Sequence, residues 1–352
     1  MDAIAKQLLD DLLTTPGTSG YEQRVQRVVH DYLKPIADET RFDTHGNLIA
    51  VKNPGRDRKI LLDAHCDQIG LIVSYIDEQG FLFVQPIGGW DAQQLVGQKV
   101  VVWANDEGVP GVVSRKPIHL QDDKERGQVA KLQDLWIDIG ASSFEEASEM
   151  VRVGDSVTLS LGYQTLANRR IAGPAMDDRT GLWLALEAFR AAAASDPSCS
   201  LYVVSAVQEE IGLRGARTAA YSVDPDIGIA LEVTHATDCP GLRAHQQGDL
   251  KVGEGPVLFR GPNMNPRVFD ALEAAAKAVD ADYQLAACGR AAPNDSNAIQ
   301  TNRGGVATAL ISLPNRYMHS GVEMVSLDDM ENGVKLLAEY LIQAKPDDVL
   351  IP

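Results

Sequence analysis

Residues 204–217 read VSAVQEEIGLRGAR. Small and branched apolar residues run into two adjacent carboxylates, Glu209 and Glu210, and then into a glycine-bearing turn. That is the pattern of a buried strand ending at a charged rim. A lone pair of glutamates is ordinarily a solvated surface feature, so the rest of the chain has to say whether this one is more. KILLDAH at 59–65 is apolar at nearly every position, as a strand covered on both faces should be, and it ends on His65 with Asp67 two residues on. GIAL precedes Glu232, VATALISLPNRYM precedes His319, and GPAMDD brings Asp177 and Asp178 to the start of a helix.

Helical and extended periods alternate around these segments. Helices are expected over 1–14, 22–33, 181–194, 266–281, 296–300 and 328–344, with a short one after Gly212. Strands are expected near 41–52 and over 59–64, 201–207, 227–233, 283–287 and 306–312. Alternation of this kind predicts an α/β fold with a largely parallel or mixed sheet. Between 69 and 164 the texture changes to short β-like runs (LIVSYI, FLFVQPI, KVVVWA, GVPGVVS, DSVTLSL) parted by Gly, Asp and Asn turns, with one helical stretch near 144–151. The expected organisation is therefore a catalytic α/β domain made of residues 1–68 and 165–352, interrupted by a small β domain at 69–164. Residues 121–128, QDDKERGQ, read as a mobile polar loop.

Composition excludes several classes. The 352 residues are 45% hydrophobic, enough for a large core, and the formal net charge of −17 argues against a phosphate-binding surface and so against nucleic acid. The first residues carry acids within their apolar pattern and have no basic leader or continuous apolar run, so neither a signal peptide nor a membrane span is expected, and the protein is read as cytoplasmic. Cys66, Cys199, Cys239 and Cys288 form no CxxC pair, which points to reduced, mostly buried thiols rather than a zinc knuckle or a disulfide scaffold.

In open α/β sheets, ligands bind beyond the carboxyl ends of the strands. Two imidazoles, His65 and His319, and at least four carboxylates should meet on that rim. Singly each has an ordinary explanation: a histidine held by a hydrogen bond, or a DD pair capping a helix. Jointly, so many carboxylates in one cleft repel unless cations neutralise them, and a His plus Asp/Glu set without thiolates suits Zn, Co or Mn. Two metals account for the number of ligands better than one. A single carboxylate bridging ions ~3.5–4 Å apart uses five residues and leaves room for a water between them. A further carboxylate would then act as base, so one glutamate of the 209/210 pair coordinates and its neighbour takes a proton. The residues alone do not choose between Glu209 and Glu210, or between Asp177 and Asp178.

Taken in order, PGTSGYE, DAHCDQIGLIV, PIGGWDAQQLVGQ, LWIDIGASS, GPAMDDRTG, VQEEIGLRGA, LEVTHATDCPG and NRYMHSGVEM resemble metallopeptidase family 42, the tetrahedral (TET) di-metal aminopeptidases that include glutamyl and deblocking aminopeptidases. The resemblance implies a zinc-peptidase-like α/β/α sandwich with an inserted PDZ-like β-barrel that mediates dimerisation. It implies two divalent ions per subunit, zinc first, with His65, Asp177 and Glu232 on one and Asp177, Glu210 and His319 on the other. Glu209 would be the general base and Asp67 the carboxylate that orients His65. The implied substrates are short peptides with a free N-terminus, and the implied assembly is a homododecamer built from dimers. Two positions depart from the family pattern: Glu232 where Asp is common, and Gly321 where proline is frequent. His235 and Asp238 lie beside Glu232 and read as supporting or loop-structural groups.

Two other readings compete. Paired carboxylates also suit a glycoside hydrolase of the endoglucanase kind, although this leaves both histidines without a role. The third is a metal-bound scaffold without turnover. Which N-terminal residue is preferred stays open, with Arg179, Arg214, Arg290 and Arg316 as candidate partners for an acidic side chain.

Overall fold

The computed structural model describes residues 1–104 and 107–352; Asn105 and Asp106 lie outside the described residues. An eight-stranded mixed sheet runs in the order Glu39–Phe42, Leu48–Lys52, Ser200–Ala206, Lys59–His65, Ile227–His235, Ala307–Asn315, Val257–Arg260 and Gln284–Ala287. The central four, from Ser200–Ala206 to Ala307–Asn315, are mutually parallel. They are almost wholly buried, which is why their sequences are apolar without alternation.

Helices cover both faces, as the α/β/α expectation requires. Ala3–Thr14, Met176–Ala193 and Leu327–Gln343 contribute Leu9, Leu12, Trp183, Phe189 and Leu337 to the larger core. Arg214–Val223 and Asp295–Gln300 close the opposite face over Ile49, Leu61 and Val204. Six further strands between Gly70 and Leu159 close into a barrel with its own interior of Leu71, Val73, Leu82, Val102 and Ile137. It meets the sandwich edge at Gly88 and Gly89. There a Cβ on Gly88 (φ +74°) would lie 2.5 Å from Ile69 Cγ2, so only glycine fits.

Several expectations shift in detail. The helix expected from Gly181 begins at Met176, with Asp177 and Asp178 non-helical inside it and the peptide between them cis. Residues 121–128 contain a helical turn, Asp123–Arg126, closed by a reciprocal capping box between Asp122 and Glu125, and not a featureless loop. The four-residue strand Val257–Arg260 was not expected. It pairs antiparallel with Ala307–Asn315 through only Val257 and Leu258, too short a run to show a period. Cys66 and Cys199 are buried, whereas Cys239 and Cys288 are half-buried; all four are free. Among the described residues no helix is long and apolar enough to cross a membrane.

Asp329, fully buried in the first turn of the Leu327–Gln343 helix, accepts the backbone N–H of Gly253 (2.8 Å) and of Gly255 (2.7 Å). These bonds anchor the turn that leads into the Val257–Arg260 strand. Asn at this position keeps one acceptor and sets an amide N–H against the second donor. Asp329→Asn should therefore cost about 2 kcal/mol of stability, read as a lower urea midpoint with an unchanged denaturant slope.

Candidate active site

The parallel strands bring their carboxyl ends to one edge, and pairing between Lys59–His65 and Ile227–His235 stops at Ala230 opposite Asp63. Beyond that point the two strands part. Glu232 was expected at a strand end; it lies instead inside a longer strand, where this parting gives it access to the cleft.

His65 is 1% exposed. Its Nδ1 is 3.1 Å from the Asp67 carbonyl oxygen and 3.4 Å from Asp67 Oδ1. Its Nε2 faces Asp177 Oδ1 at 3.2 Å and Glu209 Oε2 and Glu232 Oε2 at 3.8 Å each. His319, half-buried in the loop after Ala307–Asn315, is held through Nδ1 to the Gly89 carbonyl at 2.9 Å. Its Nε2 is 3.4 Å from both Asp177 Oδ2 and Glu210 Oε2. Backbone carbonyls only accept, so both rings carry a proton on Nδ1 and turn Nε2 inward.

Asp67, fully buried, also accepts the backbone N–H of Glu209 (3.0 Å) and Glu210 (3.2 Å) and the Ser19 hydroxyl (2.6 Å). One carboxylate thus aims His65 and pins the loop that carries both glutamates. Glu22 adds a second hold: its Oε1 accepts the N–H of Gly20 and of Gln208. Against the penalty of burial, His65 and Ser19 keep Asp67 below the usual carboxylate range. Burial, with Asp67 nearby, raises Glu22 to about 7.

Charge is strongly coupled in the cluster. Burial opposes ionisation of Asp177, yet hydrogen bonds from His319 and His65 hold it well below its ordinary value. The same contact with Asp177 lifts His319 to about 9. Burial, opposed by His65 but reinforced by Asp295 and Asp177, pushes Glu209 up to about 8, and Glu210 and Glu232 are also driven upward by burial. Glu210 Oε1 and both oxygens of Asp178, Asp63 and Asp295 are buried without a hydrogen-bond donor. Within the cluster the only cationic partners given to the acids among the described residues are the two imidazoles.

Such a donor set is short of positive charge and suits divalent cations. His65, Asp177 and Glu210 place one ligand atom each within 4.8 Å of one another, as do His65, Asp178 and Glu232, and Glu209, Glu232 and Asp295. Inward Nε2 atoms, orphaned carboxylate oxygens and the lack of thiolates fit Zn, Co or Mn.

All seven residues singled out from the sequence, His65, Asp67, Asp177, Glu209, Glu210, Glu232 and His319, meet in this cluster. Asp238 does not: it pairs with Arg316 at 2.5 Å and accepts Val252 N–H, a loop contact, and His235 stays exposed. Sequence reasoning missed Asp63 and Asp295, which lie within the layer of acids behind Glu209 and Glu232. It also missed Glu323, whose carboxylate accepts Asp177 N–H (2.9 Å) and His319 N–H (2.7 Å), and Gly89. Asp295 precedes an expected helix and reads as its cap; Glu323 carried no signal beyond its place in NRYMHSGVEM.

Known proteins resemble this chain over nearly its whole length. Lysyl aminopeptidase of Pyrococcus furiosus is 39% identical over 347 residues, 97% of this chain and 98% of that protein. A TET aminopeptidase from a marine sediment archaeon of the Thaumarchaeota superposes with a TM-score of 0.92 at 35% identity, covering 97% and 96% of the two chains. The TET1 peptidase of Pyrococcus horikoshii, which can assemble into a tetrahedron or a large octahedral shell, gives 0.85 at 29% identity over 97% and 100%. Fold and site together define a peptide hydrolase that removes N-terminal residues, and the glycoside-hydrolase reading is not favoured. A family model described as M42 glutamyl aminopeptidase matches residues 46–336, and the chain belongs to that family. The family is metal-dependent, and the cleft has the groups to hold metal.

Proposed function

We propose that the chain is a two-cation aminopeptidase acting on short peptides with a free N-terminus. His65, Asp177 and Glu232 would hold one ion, Asp177, Glu210 and His319 the other, with zinc as the first candidate. One observation carries the reading: among the described residues only Asp177 is ion-paired with both imidazoles, Oδ1 lying 3.2 Å from His65 Nε2 and Oδ2 3.4 Å from His319 Nε2. When bound, the ions supply a Lewis acid for the scissile carbonyl and lower the pKa of an attacking water.

The protein's own groups do the rest. Glu209 lines the open cavity and, among the described residues, has no cation beside it other than His65, so its carboxylate is the free base. It accepts the water's proton and delivers it to the departing amine. Asp67 fixes His65 and the backbone of residues 209 and 210, while Glu323 fixes the backbone of Asp177 and His319. The surplus of carboxylates on this wall draws the substrate ammonium inward.

We propose further that the barrel joins chains into dimers and that dimers form a tetrahedral dodecamer, which the shell-forming relative supports. Four free cysteines suit a reducing compartment, and the proposed location is the cytoplasm.

Prolonged chelation should remove close to two metal equivalents per chain and abolish hydrolysis of aminoacyl p-nitroanilides; added zinc or cobalt should restore both. Full activity in metal-free protein would refute the reading. Because Glu209 and His319 sit raised to about 8 and about 9 in the metal-free cluster, they hold protons at neutral pH that incoming ions must displace. Zinc affinity should therefore climb between pH 6 and 8, by about tenfold per pH unit for each proton released.

A further inference from the structure

The cavity at the site has a volume of about 590 Å³ and two unlike walls. One is the His and carboxylate cluster. The other holds the apolar residues Val233, Phe259, Ala292, Leu310 and Met318, with Thr234, His235, Cys288 and Asn294 also lining the cavity. Leu310 and Ala292 are each 3% exposed and pack with Ala230 and Met264 in a small hydrophobic cluster, with Phe259 half-buried against it. Phe259, Ala292 and Leu310 thus share this small packed base, while Val233 and Met318 pack against the larger core.

Among the described residues that line the cavity there is no lysine or arginine, and its carboxylates, Asp177, Glu209, Glu210 and Glu232, all belong to the opposite wall. The four arginines that might have met an acidic substrate are accounted for elsewhere. Arg179 is buried and donates to the carbonyls of Leu12 (2.7 Å) and Thr15 (3.3 Å). Arg214 donates to the Ile211 carbonyl and Arg316 to Asp238, while Arg290 is exposed and does not line the cavity.

We infer that the apolar wall receives the side chain of the substrate's N-terminal residue and that the enzyme prefers leucine and methionine there, over both the glutamate of its family's description and lysine. The inference rests on the aminopeptidase reading above. With its amine and scissile carbonyl at the metal-facing wall, the substrate must turn its first side chain to the remaining side of the cavity. A glutamate placed there would lose water without gaining a lysine or arginine partner. A lysine ammonium would lose water with no anion on its own side. A leucine exchanges water for Phe259, Leu310 and Ala292, and each methylene in such a pocket is worth about tenfold or more in specificity.

The test is kcat/KM of the zinc-loaded enzyme on the p-nitroanilides of Leu, Met, Ala, Lys and Glu. Leu and Met should exceed Ala by about tenfold or more, and Lys and Glu by about 100-fold. If Glu or Lys leads, the inference fails while the aminopeptidase reading stands; if no substrate is cut, both fail. Phe259→Ala should lower kcat/KM for Leu about tenfold, chiefly through KM, with little change for Ala and unchanged metal content. An equal loss on Leu and Ala would show that the wall does not touch the side chain, and would overturn the inference.

Discussion

Glu209→Gln is expected to lower kcat by about 10³- to 10⁴-fold while the protein keeps its fold, its metal content and nearly its KM. Glutamine matches the volume and still reaches the cavity, but it accepts no proton. The backbone position is independent of the side chain, since Glu209 N–H is held by Asp67 Oδ1 at 3.0 Å. The change therefore isolates proton transfer. It also removes a group that burial, with Asp295 and Asp177 close by, drives up to about 8, so metal-free Glu209→Gln should bind zinc with a shallower pH dependence than the wild type. Retention of more than a tenth of the wild-type rate would move the base to another group.

Asp177→Asn should abolish measurable turnover, a loss of about 10⁴-fold or more, and bring bound metal below one equivalent per chain. The amide oxygen can face one imidazole but not both, and its charge is gone. A second readout needs no metal: Asp177 is the foremost cause of the raised His319, which stands at about 9. In the metal-free variant the His319 resonance should titrate nearer the ordinary histidine value, whereas a merely structural role for Asp177 would leave it where it is. Normal metal content in this variant would dismantle the proposed sharing of Asp177 between two ions.

Much of this site is written in the order of residues along the chain because parallel strands deliver their ends to one edge. His65, Glu209, Glu210, Glu232 and His319 each follow an apolar run, and the rule that ligands gather beyond strand ends was enough to group them. The rule does not discriminate between neighbours. Asp177 and Asp178 differ by one residue, and it is the non-helical backbone at both positions, with Glu323 holding the Asp177 N–H, that turns only Asp177 toward both rings. Asp178 stays beneath, fully buried, without a donor.

Asp63 was hidden for a different reason. It lies inside the KILLDAH strand, where an acid among apolar residues carries no periodic signal, and its neighbour Asp295 comes from a helix start more than two hundred residues away. Pairings of that range depend on the sheet order, which alternation alone does not specify. The apolar wall was equally invisible, because Phe259 arrives on the short antiparallel strand Val257–Arg260 that lacks a legible period.

The carbonyl of Gly89 belongs to the segment that follows the second barrel strand, yet it grips the ring of His319 from across the molecule. The barrel segment thus reaches into the cleft and sets the tilt of one imidazole. Without that carbonyl the cleft would keep its acids and both histidines, yet the ring of His319 would lose the acceptor that fixes its Nδ1 proton.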